Sequence, residues 1–208
     1  MNLTPGYGET PLPNDELAAL LPAARDLLEP SLTKAAVYDL EQEIQDDITE
    51  TMVSAVLEGN IQLEELVTDF FLRELHFLLY GQVWDWAGKF RRRELNIGVA
   101  PEQIAMELRG SLDTIRYRWE HTGDWTAQQF GIVTHAEEVR IHPFVDGNGR
   151  STRLHADLIF LATQETEKPK LYDWQLDKRH YIDLLRAYDQ HRDPKALAAF
   201  IETVSVEQ

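Results

Sequence analysis

Apolar residues recur every three or four positions along most of this chain, a period that suits packed helices and little else. The clearest run is Ala35, Val37, Leu40, Ile44, Ile48, Met52 and Ala55, which keeps one helical face apolar. Thr33 precedes it as an N-cap, and Gly59 and Asn60 follow as a stop. Val67, Phe71, Leu75 and Leu79 predict a second helix from about Leu63 to Tyr80, closed by Gly81. A short helix is expected between Asp15 and Leu28, before Pro30. Further helices are predicted over 102–119, 126–141, 149–163, 177–191 and 194–204. Residues 1–14, with Pro5, Gly6, Gly8, Pro11 and Pro13, read as an irregular arm. Only the short basic stretch from Lys89 to Pro101 resembles a β-hairpin. The fold class is therefore all-α with one short hairpin. Along the chain it divides into an arm and short helix over 1–32, a long helix over 33–60 and a core over 61–208.

The 208 residues suffice for one domain with a full apolar core, and the absence of cysteine removes disulfides and thiolate metal sites. No secretory signal opens the chain, and no apolar run approaches the ~20 residues a membrane helix needs, so a cytoplasmic location without membrane contact is expected. A formal charge of -16 repels phosphate backbones and anionic lipid, which disfavours direct nucleic-acid binding.

The stretch HPFVDGNGRSTR, His142 to Arg153, lies between two predicted helices, and Pro143 cannot continue the first. Gly147 and Gly149 let a ligand approach the backbone, and the next helix begins here with unpaired N–H groups and a positive dipole end. Arg150 and Arg153 leave the same face of its first turn. Each costs about 0.3–1 kcal/mol at a helix N-terminus unless an anion lies between them, and a polyphosphate fits best. Asp146 is an oxygen donor suited to Mg²⁺, and His142 can serve as a base near neutral pH. Together these groups describe a phosphoryl-chemistry site.

The same twelve residues resemble the signature of the Fic family, H-P-F-x-[D/E]-G-N-G-R-x-x-R, at every specified position. LRELHFLLYGQVWDWAGKFR, Leu72 to Arg91, is similar to the family's helix and W-A-G-x-[FL]-R turn. The likeness spans about residues 60–202, and the whole chain resembles the small bacterial subgroup called mobile mystery protein B. It implies a Fic-type helical bundle with a β-hairpin flap, and a protein adenylyltransferase moving AMP from ATP to a Ser, Thr or Tyr hydroxyl. By resemblance His142 deprotonates the target, Asp146 holds Mg²⁺, and Gly147, Asn148 and Gly149 cradle the α- and β-phosphates. By the same resemblance Arg150 grips the β-phosphate, Arg153 the γ-phosphate and Phe144 anchors the loop, while Tyr181 either lies near the adenine or packs its helix. Doc-like kinases of the family carry lysine at the second glycine, so Gly149 favours AMP transfer. Homodimerisation and a helix-turn-helix partner protein are further implications.

Lys89, Arg91, Arg92 and Arg93 are the densest basic cluster, either a solvated loop tip or the flap that pairs with a target strand through residues near Leu95 to Gly98. SAVLEGN, Ser54 to Asn60, resembles the family's inhibitory motif, in which the glutamate (here Glu58) would pair with Arg153 and block ATP. The alternative is an exposed helix end. Trp84 and Trp86 read as core anchors, and His135 with Glu138 lacks a third zinc ligand. Removal of AMP by the same site, and a non-catalytic nucleotide-binding or toxin–antitoxin role, stay open as alternatives.

Overall fold

The computed structural model describes residues 14–30 and 32–206. The arm expected over 1–14 lies almost wholly outside them. Ten α-helices occur among the described residues: α1 (Asn14–Ala19), α2 (Pro22–Leu28), α3 (Lys34–Leu57), α4 (Leu63–Leu66), α5 (Asp69–Tyr80), α6 (Ile104–His121), α7 (Ala127–Ile141), α8 (Asn148–Ala162), α9 (Lys178–His191) and α10 (Lys195–Phe200). Strands β1 (Lys170–Tyr172) and β2 (Thr203–Ser205) pair antiparallel, with Leu171 opposite Val204.

At the centre α7 lies against α8, and both are buried almost all round, through Phe130, Ile132, Ala136 and Ile141 on one and Leu158, Ile159 and Phe160 on the other. Helices α3, α4 and α5 cover α8, while α6, α9 and α10 cover α7. A helix enclosed on every side must satisfy its polar groups internally. His155 of α8 does so with Glu138 of α7 at 2.6 Å and the Leu66 carbonyl at 2.8 Å. The Leu66 carbonyl can only accept, so Nε2 carries a proton, and Nδ1 faces the carboxyl of Glu138. Burial opposes a charged ring, yet Glu138 wins and the His155 pKa is raised.

The predicted cap and stop of the long helix are both present. The Thr33 hydroxyl accepts the Ala36 N–H at 3.2 Å, and Gly59 stops α3 with a φ of 73°. Thr126 and Asp177 cap α7 and α9. Four expectations change. The segment 63–80 is two helices, because the Thr68 hydroxyl accepts from Phe71 at 3.1 Å and starts α5 afresh. The helix at 15–28 breaks before Pro22, where the Leu21 N–H goes to the Val83 carbonyl at 2.9 Å. The expected hairpin at 89–101 forms no strand. Its backbone bonds instead to the loop ahead of α8, Arg91 N–H to Pro143 O at 2.9 Å and Val99 N–H to Ile141 O at 3.2 Å. The helical class with one antiparallel strand pair holds, but that pair closes the chain's end, where residues 203–205 leave the helix predicted there.

Candidate active site

The loop from His142 to Gly147 joins the two central helices and is fixed from three sides. His142 ends α7 in the left-handed region, φ 53°, an uncommon conformation for a side chain with a Cβ. Phe144 is wholly buried and stacks on His76 of α5 at 3.7 Å. Asn148 then closes the loop on itself: its Oδ1 accepts the Phe144 N–H and its Nδ2 donates to the Phe144 carbonyl, each at 2.9 Å. Its side chain is thus spent on loop shape, and of the phosphate cradle expected of Asn148 only the backbone N–H remains free for a ligand.

His76 carries the second constraint. Its Nδ1 accepts the Gly88 N–H at 2.9 Å, so the proton is on Nε2, which donates to the Asp146 carbonyl at 3.0 Å. Burial drives this ring's pKa down to about 4, and it stays neutral. The third constraint is Arg91. Although it stands in the basic cluster, it is only 2% exposed; its guanidinium donates to the carbonyls of His142 at 2.8 Å, Arg93 at 3.1 Å and Val99. Arg92 and Arg93 alone of these three arginines face solvent.

Gly147, φ 73°, begins α8, and a Cβ there would stand 2.5 Å from the Tyr80 ring, so glycine is required on both counts. The N–H groups of Asn148, Gly149 and Arg150 open the helix without helical acceptors, and above Gly149 the space is open to 4 Å. Asp146 is exposed; one carboxylate oxygen accepts the Gly147 N–H at 2.6 Å. Such a carboxylate at the rim of an anion nest suits Mg²⁺, which takes one or two protein oxygens and completes its shell with phosphates and water. The His142 imidazole is half-buried. Burial first, and the nearby Arg91 charge second, hold its pKa below the usual histidine value despite Asp146.

The two loop arginines diverge. Arg150 meets Glu41 of α3 at 2.5 Å and lies 4.9 Å over the Tyr80 ring. Arg153 lies 6.0 Å over Trp174, beside His135 and Tyr181. The Tyr181 hydroxyl shares a 2.5 Å hydrogen bond with His135 Nε2, which brings Tyr181 to the Arg153 side of the loop and uses the histidine structurally. Glu138, spent on His155, is not beside it as a ligand. Glu58 requires a correction. It is exposed at the end of α3, accepts from its neighbour Asn60 at 2.9 Å, and makes no pairing with Arg153. The helix rises about 25 Å from Glu41 to Glu58 at ~1.5 Å per residue, too far for the latter to reach the loop. The α3 carboxylate at the site is Glu41.

Residues 67–160 match the sequence profile of the Fic/DOC family. The chain carries a Fic/DOC family domain. Over this Fic domain the chain is 34% identical across 81 residues to protein adenylyltransferase fic-1 of Caenorhabditis briggsae and 33% across 90 to protein adenylyltransferase Fic of Drosophila ananassae. Those stretches are 37% and 39% of this chain but only 16% and 17% of the relatives' lengths. The fold is similar to the N-terminal Fic domain of a VirB-translocated Bep effector from Bartonella quintana, at TM-score 0.62 and 16% identity, covering 82% of this chain and 84% of that one. It is also similar to the BepC effector of Bartonella tribocorum, solved with AMPPNP, at TM-score 0.61 and 15% identity over 84% and 89% of the two chains. The Fic domain's matched segment holds the loop, His76, Tyr80 and Arg91, whereas Glu41, Trp174 and Tyr181 come from outside it.

Proposed function

We propose that this Fic domain transfers AMP from ATP to a protein hydroxyl, with 61–208 as its catalytic core and α3 contributing Glu41. The observation that carries the reading is the open N-terminus of α8, flanked by Arg150 and Arg153 and faced by a neutral histidine. The relatives named as adenylyltransferases, and the AMPPNP bound in a neighbouring fold, support it.

In this reading the N–H groups of Asn148, Gly149 and Arg150 receive the phosphates next to the reacting centre, Arg150 the β-phosphate and Arg153 the γ-phosphate. Tyr181 borders the Arg153 side, which in this reading is the γ-phosphate end and not that of the adenine. Asp146 would hold Mg²⁺, which neutralises charge on the phosphate oxygens. His142, kept uncharged, takes the proton from the target hydroxyl as its oxygen attacks the α-phosphorus; the bond to pyrophosphate breaks, and the arginines hold the leaving group. Rigid support of the histidine by Arg91 and the left-handed turn supplies positioning.

Incubation with α-³²P-ATP, Mg²⁺ and cell lysate tests this. Label on protein from wild type that is lost in His142→Ala and Asp146→Ala is expected. Wild type that binds ATP yet labels nothing, while releasing AMP from a pre-labelled protein, would replace it with the reverse reaction. Because Glu58 lies away from the loop, Glu58→Gly should label at the wild-type rate; a gain of tenfold or more would restore the brake.

A further inference from the structure

Arg150 stands where a helix N-terminus repels a cation, and one third of its side chain is in water. Something must keep its guanidinium at the nest before any phosphate arrives. The carboxylate that does so comes from 109 residues earlier in the chain. Glu41 is buried, its side chain 4% exposed, and both of its oxygens are engaged: Oε2 takes Arg150 Nη1 at 2.5 Å, and Oε1 takes the Trp84 indole N–H at 2.6 Å. Trp84 is itself 7% exposed and stacked on Trp86 at 5.5 Å. The glutamate is therefore clamped at both oxygens to a rigid wall. On its other flank Arg150 lies over the ring of Tyr80, whose hydroxyl is buried without a hydrogen-bond partner.

Resting on the nucleotide reading above, we propose that Glu41 is a positioning residue: it holds Arg150 by one edge so that the remaining N–H donors are already aimed at the β-phosphate. A guanidinium has five donors in a fixed fork, and Glu41 occupies one nitrogen, leaving the others for an anion. Two effects of opposite sign act here. The carboxylate's charge opposes an incoming anion, whereas its hold removes the rotamer freedom that Arg150 would otherwise lose on binding. The hold dominates, because Glu41 is immobile and the stacked Tyr80 ring alone leaves the guanidinium free to slide. Glutamine separates the two, since its one side-chain oxygen can accept from the same nitrogen without the charge, at the cost of the hydrogen bond from the Trp84 indole.

The test is calorimetric titration of ADP and of AMP, each with Mg²⁺, into wild type, Glu41→Ala and Glu41→Gln. Only ADP reaches Arg150, so AMP affinity reports whether the nest is intact in each variant. Wild type should bind ADP more tightly than AMP. Glu41→Ala should lose about tenfold in ADP affinity at unchanged AMP affinity, within the range of coupling between contacting residues. Glu41→Gln should retain most of the ADP preference, within about threefold of wild type. Glu41→Ala binding ADP as well as wild type, or both variants binding it more tightly, would overturn the proposal in favour of charge repulsion. Equal affinity of wild type for ADP and AMP would instead remove the β-phosphate role of Arg150, and the assignment of Glu41 with it.

Discussion

Two side chains of the loop are set by what lies beneath them. Glu41 is deeply buried and ion-paired to Arg150, so Arg150→Ala strands a carboxylate in the core. The expected cost is about 2 kcal/mol, below the ~3–5 of a fully enclosed pair because Arg150 keeps a third of its side chain in water. Arg153, with no ion pair among the described residues, should lose less than about 0.5 kcal/mol as alanine. Urea unfolding of the two variants checks this, and equal losses would contradict it. His142 yields a kinetic counterpart. Its pKa lies below the ordinary histidine value, so the neutral base is present at pH 7 and disappears only as acid protonates it. The acid limb of the AMP-transfer rate should therefore fall below pH ~6.5; a midpoint above 7 would disqualify His142 as the base. The loop residues were legible in the sequence because their chemistry is local, within twelve consecutive positions. Glu41 was not, since nothing in a helical period shows that one acidic position out of many in α3 lies buried opposite an arginine 109 residues on.

At the level of elements, the loop is only as rigid as the helices and the segment braced against it. The 89–101 stretch reads in sequence as a hairpin because it is short and basic, yet its hydrogen bonds run to residues 141 and 143, a long-range pairing with no local signal. Gly98, φ 91°, is where the two strips of backbone touch: a Cβ there would stand 2.6 Å from Arg91 Nη2 and 2.7 Å from the His142 Cβ. Gly98→Ala must push either the pin or the base. It should lower the labelling rate roughly 10- to 100-fold, as expected for a displacement of about 1 Å at a reacting group, with far less effect on ADP binding. An unchanged rate would mean the segment is free to move away. The brace from α5 is pH-sensitive. His76 is neutral in the fold with a pKa of about 4, against 6.5 when unfolded, so below pH 6.5 the unfolded chain binds the extra proton and the fold loses stability. The loss reaches about 3 kcal/mol by pH 4, at ~1.4 kcal/mol per pH unit. Unfolding midpoints in urea from pH 7 to 4 should show it, and a flat profile would argue that His76 is hydrated. The Thr33 cap was readable because it acts over three residues; the break at Thr68 was missed because the apolar period runs through it without a Gly or Pro.

For the whole molecule, the informative contrast is between a formal charge of -16 and the pair of adjacent arginines beside the loop. Arg109, Arg116, Arg118, Arg140, Arg186 and Arg192 all sit in ion pairs with acidic neighbours. Arg92 and Arg93 are exposed and have no ion pair among the described residues. They border two adjoining clefts, of about 360 and 460 Å³, that share Trp86, Arg93 and Val145, and the first reaches Asp146 of the loop. An acidic surface repels acidic proteins, and two adjacent unpaired arginines beside the loop offset that repulsion locally, so a target bearing carboxylates near its hydroxyl is favoured there over a basic one. Steering acts on association and is screened within ~10 Å at 0.1 M salt, whereas the chemistry at His142 lies downstream of it. A glutamate-rich peptide containing one tyrosine, compared with its lysine-rich counterpart, isolates the effect. Reversal of both arginines to glutamate should raise KM for the acidic peptide about tenfold, leave kcat within a factor of two, and abolish the rise of KM with salt seen in wild type. If KM for the acidic peptide is unmoved by the reversal, the corner does not face the target, and approach to His142 must run along the Arg153 and Tyr181 side instead.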